Sequence, residues 1–328
     1  MQNEGHVYNR IFDEKKWENI NKYNKKMMED FLLELKSNRK SEGTIKQYRN
    51  DLRILFTFIY DELDNVPIHK LKKKHFRNYS IWLQEKNMSP RRVNRLLSAL
   101  RSMLTFAEED DDYEDDIEIN YAAKVKGLKG EDVREIVFLE MEEIDLLRNK
   151  FLKEKRYLEA SLISILIDTG ARKNEVRQIE KNTITIDGRF TNVVVGKRNK
   201  KFRLLYNRYT KEAVSLFLKQ RGNDNVASLW YYKGKQYDEN DIYDFVYKWR
   251  KELEEMTGEY KKFNVHSFRH SAAELLSVGE HYICKDLGGK KFELNEIKLL
   301  LNHESTATTE GYLKDKSEEE LLNAFMFA

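Results

Sequence analysis

The stretch His266-Ser267-Phe268-Arg269-His270 sets two imidazoles and a guanidinium within five residues. They fall at an element boundary and not on a solvated face. Two other segments share this property: Thr169-Gly170-Ala171-Arg172-Lys173-Asn174-Glu175 upstream, and Leu300-Leu301-Asn302-His303, followed by Tyr312, downstream. A guanidinium fork matches phosphate oxygens in a bidentate way and keeps its charge at any working pH, so two arginines with two histidines suggest an oxyanion clamp. Each signal is weak alone. A lone histidine is usually a satisfied structural residue, and Tyr312 is one of 18 tyrosines.

Around these segments the second half of the chain reads as mixed. Helices are expected at Leu139–Phe151 and Leu158–Asp168. Three short strands follow, Asn182–Thr185, Phe190–Val195 and Phe202–Tyr206, with Asp187-Gly188 as a turn and Gly196–Lys201 as a basic hairpin tip. Helices resume near Thr210 and continue to the C-terminus, where Leu321, Leu322, Phe325 and Met326 fall at helical spacing.

The first half is helical throughout. Met28, Phe31, Leu32 and Leu35 form one apolar stripe, and Ile45, Tyr48, Leu52, Leu55, Phe56 and Ile59 a second, with Ser41 or Thr44 as N-cap between them. A third helix covers Phe76–Lys86. A fourth starts at Ser89-Pro90, a capping serine before a first-turn proline. The expected organisation is a helical domain over 20–118, a linker over 119–135 and a mixed domain over 136–328. The fold class is mainly α with a small β-sheet, α+β.

Composition limits the alternatives. Hydrophobic residues at 40% and charged residues at 35% suit a soluble globular protein and not a disordered one. No apolar run approaches the roughly 20 residues that span a bilayer, and Met1–Tyr8 lacks a signal peptide's apolar core, so a cytoplasmic protein without a membrane partner is expected. Cys284, the single cysteine, has no neighbours at metal-ligand spacing and reads as a small buried hydrophobe; no metal or cofactor is expected.

Net charge is only +3, but the charge is segregated. Eight of the nine residues from Glu108 to Asp116 are acidic, whereas Lys72, Lys73 and Lys74 precede the third helix and Arg91, Arg92, Arg95 and Arg101 lie opposite the fourth helix's apolar stripe. With Lys200 and Lys201 at the hairpin, these cations are candidates for neutralising nucleic-acid phosphates.

In combination and in this order, the three segments resemble the tyrosine recombinase family, which includes the phage integrases and the Xer and Cre proteins. The likeness covers nearly the whole chain, with a helical core-binding domain ahead of a catalytic domain. Arg172 in Thr-Gly-Ala-Arg matches the family's first arginine, with Glu175 as its acidic partner. Lys197 in Gly196-Lys197-Arg198-Asn199-Lys200 matches the hairpin lysine. His266 and Arg269 match His-x-x-Arg, with His270 in the commonly following position. His303 matches the second histidine, and Tyr312 stands nine residues later, where the nucleophile is expected.

What the resemblance implies is site-specific strand exchange on double-stranded DNA through a 3′-phosphotyrosyl link formed by Tyr312, with no cofactor. Arg172, Arg269 and His303 would stabilise the transition state, His266 would take or position the phenolic proton, and Lys197 would protonate the leaving oxygen. The implied partners are a homotetramer on paired sites, joined through the C-terminal helix, and an accessory directionality protein. The alternatives are a DNA-binding regulator that keeps the fold without recombining and a monomeric type IB topoisomerase. Three features depart from the family pattern: Asn302 in place of glycine, a long interval containing Gly288-Gly289-Lys290-Lys291, and Leu204-Leu205 where a proline often follows the hairpin. The first two raise the question of whether His303 is still aligned.

Overall fold

The computed structural model describes residues 11–130 and 136–314. The chain divides into two compact units, Met1–Val133 and Arg134–Ala328, each with its own hydrophobic core. The expected C-terminal helix at Leu321–Met326 lies outside the described residues. No described helix is long and apolar enough to cross a membrane.

The first unit is helical. A short α1 (Glu14–Asn19) precedes α2 (Lys22–Ser37), α3 (Glu42–Glu62), α4 (Lys73–Glu85) and α5 (Pro90–Glu109). The caps act as the sequence suggests: Oγ of Ser41 accepts from Thr44 N at 3.2 Å, and Oγ of Ser89 caps α5 ahead of Pro90. The apolar stripes meet in one core containing Phe31, Leu52, Phe56, Leu83 and Leu97.

The acidic run is no free solvated stretch, because Tyr113 within it is buried and its hydroxyl donates to Asp30 at 2.5 Å, while Lys26 bridges Asp112 at 2.6 Å. The stretch that the sequence assigns to a linker, 119–135, makes contacts of its own near its start. Residues 120–128 pack on α5, where Arg101 donates to the carbonyls of Ala122 (3.2 Å) and Val125 (2.7 Å) and Leu128 N reaches Asn94 Oδ1 at 2.8 Å.

In the second unit, α6 (Met141–Lys153) and α9 (Arg208–Arg221) pack against α7 (Tyr157–Thr169), nearly all of whose residues are buried. A helix apolar on every side belongs at a core's centre, and this one is surrounded by neighbours. Beyond the short α8 (Lys173–Arg177), β1 (Phe190–Val195) pairs antiparallel with β2 (Lys201–Leu205), Val195 opposite Lys201.

The expected strand at Asn182–Thr185 is absent; Lys181–Thr183 is a 3-10 turn. Its backbone finds a side chain instead of a strand: the Tyr206 hydroxyl accepts from Thr185 N at 3.0 Å and donates to Thr183 O at 3.1 Å. Conversely, the expected run of helices after Thr210 is interrupted by a small hairpin, β3 (Tyr231–Tyr232) and β4 (Lys235–Gln236). Its loop residues Lys233 and Gly234 both have positive φ, as a two-residue hairpin turn requires.

The remaining helices are α10 (Glu239–Thr257), α11 (Val265–Val278), α12 (Tyr282–Asp286), α13 (Leu294–Leu301) and α14 (Thr306–Glu310). The long interval between Arg269 and His303 is anchored. Tyr282 stacks on Tyr209 at 3.7 Å, its hydroxyl donates to buried Asp168, and Arg208 bridges Asp286 at 2.5 Å. Cys284 is buried with Ala273, Leu276, Ile297 and Leu301 in a satellite core that supports Tyr312 and Leu313.

Candidate active site

The site begins where α7 ends. Gly170 terminates that helix with φ +55°, and a Cβ there would sit 2.4 Å from Leu301 Cδ2, so both conformation and space demand glycine. The chain then turns into α8 with Arg172 as its N-cap residue. Glu175, almost fully buried, accepts from Arg172 N at 2.8 Å and from Arg172 Nη1 at 3.0 Å, closing the helix start and aiming the guanidinium with one carboxylate.

Arg269, 1% exposed, donates through Nη1 to Gly170 O (2.6 Å) and through Nη2 to Leu301 O (2.5 Å). It thereby ties the Arg172 turn to the end of α13. Nε is left without a partner among the described residues. Desolvation, then the charge of Arg172, brings its pKa down to about 10, which leaves it a cation at neutral pH.

Asn302 ends α13 at φ +53°. This left-handed position explains why glycine is usual here. Asparagine is among the few side chains that enter the region readily, so the chain passes into His303 at low backbone cost. His303 is buried, its Nδ1 lies 2.9 Å from Thr309 Oγ1, and its Nε2 has no partner among the described residues. Desolvation first, then Arg269 and Arg172, push its pKa down to about 3. A neutral ring accepting the Thr309 hydroxyl at Nδ1 carries its proton on Nε2. In that tautomer the free nitrogen is a donor.

Tyr312 follows α14. Its hydroxyl is 3.2 Å from His266 Nε2, its ring stacks on His270 at 4.1 Å and 18°, and His303 and the Arg269 guanidinium approach the same ring at 4.7 and 5.5 Å. His266, in the first turn of α11, is held below the ordinary imidazole range by desolvation and by the charges of His270, Arg269 and Arg172. It is therefore neutral at pH 7 and able to accept a phenolic proton.

Lys197 and Lys200 are exposed on the β1–β2 hairpin, and with Arg172, Phe202, His303 and Thr308 they line a polar cavity of about 220 Å³. The hairpin reaches the end of α13 through Arg198 Nη1 to Glu304 Oε2 (2.7 Å) and Lys200 Nζ to Asn302 O (3.4 Å). Lys201 is exposed beside it.

The structure thus brings Arg172, Glu175, Arg269, His266, His303 and Tyr312 together, with Lys197 on the cavity wall. Lys72, Lys73, Lys74, Arg91, Arg92 and Arg95 belong to the first unit. The three lysines and Arg91 are exposed, but Arg92 and Arg95 converge on buried Asp51 at 2.7 and 3.2 Å, so those guanidiniums are engaged within the domain. Sequence reasoning gives no role to two residues of the site. His270 sits one turn after His266 and shares its helix face, a usable signal. Thr309 carries none.

The family model of the phage integrases matches residues 137–319, and that of their N-terminal SAM-like domain matches 28–110. Tyrosine recombinase XerC of Treponema denticola is 25% identical over 299 residues, covering 85% of this chain and 90% of its own. The SPbeta prophage-derived recombinase-like protein YomM of Bacillus subtilis is 22% identical over 321 residues, covering 93% and 92%. Among solved structures, a lambda integrase tetramer bound to a Holliday junction superposes with a TM-score of 0.66 at 15% identity over 89% of this chain and 77% of that one. The Tn1549 transposon integrase in complex with circular intermediate DNA gives 0.61 at 15% identity over 90% and 98%. With an α+β fold of the integrase type and a family model spanning more than half its length, this chain belongs to the phage integrase family of tyrosine recombinases.

Proposed function

We propose that this protein is a site-specific tyrosine recombinase that breaks and rejoins double-stranded DNA through Tyr312. The observation that carries the reading is the Tyr312 hydroxyl 3.2 Å from a neutral imidazole, within a cluster that also holds two arginines and a histidine with an unpartnered ring nitrogen. As Tyr312 attacks the scissile phosphorus, its proton passes to His266 Nε2. Arg172, the remaining N–H groups of Arg269 and Nε2 of His303 bind the non-bridging oxygens, whose charge grows in the transition state. Lys197 protonates the departing 5′ oxygen, leaving the 3′ phosphate on tyrosine. The ester conserves the bond energy, so a different 5′ hydroxyl reverses the step without ATP.

The partners follow from the same reading: duplex DNA bearing specific sites, recognised partly through Lys72, Lys73, Lys74, Arg91, Lys200 and Lys201, and further copies of this chain. A lambda integrase dimer on a core site and a tetramer on a junction support the oligomeric part. The apolar spacing of Leu321, Leu322, Phe325 and Met326 supports a C-terminal segment that joins protomers. Work in the cytoplasm, with an accessory protein setting direction, completes the proposal.

The test uses nicked duplexes carrying a site that the protein itself selects from a random-sequence pool. Wild type forms a covalent protein–DNA adduct, and Tyr312→Phe binds equally but forms none. Tight specific binding with no adduct would sink the enzyme reading in favour of a regulator. Adducts on arbitrary DNA with relaxation of supercoils would make it a topoisomerase.

A further inference from the structure

We infer that Glu274 is a positioning residue for the nucleophile: its buried carboxylate pins the backbone just beyond Tyr312 to the helix whose His266 meets the Tyr312 hydroxyl. The inference rests on the function proposed above and deepens it.

His266, His270 and Glu274 are spaced i, i+4 and i+8 on α11 and form one stripe down its face. Each meets a different part of the Tyr312 segment. His266 Nε2 lies 3.2 Å from the phenolic oxygen. His270 stacks on the ring at 4.1 Å, and its Nδ1 is 3.3 Å from the Tyr312 carbonyl oxygen. One turn further along, Glu274 Oε2 accepts from Lys314 N at 3.0 Å. The hydroxyl and carbonyl of Tyr312 and the amide of Lys314, two residues on, are therefore met by three successive turns of one helix.

Among the described residues, the segment's other backbone hydrogen bonds are local, from Tyr312 N to Thr309 O at 2.9 Å and from Leu313 N to Glu310 O at 3.0 Å. The preceding α14 has only five residues, and Tyr312 and Leu313 are part-buried at the edge of the satellite core. The Lys314 side chain adds one strut, Nζ to Glu140 Oε1 at 2.9 Å, but at an exposed pair. Glu274 is 4% exposed, and a carboxylate so far from water is tolerable only with donors on it. Lys314 N is one donor that meets this need, and its bond ties the segment to α11. In-line attack needs the nucleophile within a narrow range of positions, and a displacement of about 1 Å costs roughly a hundredfold in rate. Releasing this bond should act on the rate of attack and leave DNA binding alone, since no element of the polar cavity is touched.

The test measures binding affinity, single-turnover adduct formation on the self-selected nicked duplex, and thermal unfolding. Glu274→Ala is expected to bind DNA as wild type does and to form adduct about ten- to a hundredfold more slowly. Glu274→Gln, whose amide oxygen still accepts the Lys314 N–H, should recover most of that loss. Should Glu274→Ala not fold, Lys314→Pro removes the donor at the surface and should show the same slowing relative to Lys314→Ala, which keeps it. A wild-type adduct rate in Glu274→Ala, or in Lys314→Pro, overturns the inference, as does a folded Glu274→Gln no faster than Glu274→Ala. Wild type that binds its site yet gives no adduct instead fails the recombinase reading itself.

Discussion

The Tyr312 hydroxyl and His266 Nε2 lie 3.2 Å apart, with the imidazole pKa lowered by desolvation first and then by its neighbours His270, Arg269 and Arg172. That pairing fixes the sign of the pH dependence. The base form of His266 is the one that can accept a proton, and its pKa is shifted downward. Adduct formation should therefore stay level from pH 8 through the ordinary imidazole value of about 6.5 and decline only below it. His266→Ala should slow the step by about a hundredfold and remove that acidic limb. A limb centred at or above 6.5 in wild type would assign the proton transfer to another group.

Arg269 has a structural role beside its proposed chemical one. Its fork satisfies two buried carbonyls, of Gly170 and Leu301, and joins the two segments that carry Arg172 and His303. Lysine offers one ammonium in place of a planar fork and cannot reproduce both bonds. Arg269→Lys should lower stability by about 1–3 kcal/mol and reduce adduct formation at least a hundredfold. Arg172→Lys, at a part-exposed side chain, should show the catalytic loss with a much smaller change in thermal midpoint. Equal unfolding midpoints for the two variants would contradict the structural role of Arg269.

The grouping of the candidate site was legible in the sequence because it depends on residue types in a fixed order: guanidiniums near an imidazole pair, and a tyrosine a short way beyond a second histidine. The helices of the first unit were legible for a similar reason, since their apolar stripes keep one period and their caps are local. What escaped depends on partners distant in sequence. Asn182–Thr185 has the look of a strand, but its backbone is satisfied by the Tyr206 hydroxyl. The stretch around Ala122 and Val125 looks like linker until Arg101 is seen holding its carbonyls. Glu274 reads as one more charge on a helix, and only the fold shows it buried and bonded to the segment after Tyr312.

Asn302 departs from the family pattern at a position whose backbone accommodates it. The position requires φ near +53°, which glycine and asparagine enter at low cost and alanine does not. Asn302→Gly should be fully active with a midpoint near that of wild type, whereas Asn302→Ala should lose about 1 kcal/mol. Gly170→Ala combines the same backbone strain with a Cβ 2.4 Å from Leu301 Cδ2, and should be destabilised more than Asn302→Ala. If Asn302→Gly raised the adduct rate several-fold, asparagine would after all be misplacing His303.

The cations of the first unit separate into two kinds, and one experiment distinguishes them. Lys72, Lys73 and Lys74 stand exposed in and just before the first turn of α4, where the helix dipole disfavours positive charge. They contribute little to folding there and are free to meet phosphate. Replacing all three by alanine should leave the unfolding midpoint unchanged or slightly raised. Affinity should fall alike for specific and random DNA, with the slope of log K against log salt flattening by about 0.9 for each phosphate that the variant no longer neutralises. Arg92 behaves oppositely: its guanidinium lies 2.7 Å from a carboxylate only 2% exposed, and Arg92→Ala leaves Asp51 to Arg95 alone. That variant should lose about 1–3 kcal/mol of stability with little change in the salt slope. A flattened slope with an unchanged midpoint in Arg92→Ala would return that residue to the DNA-facing set.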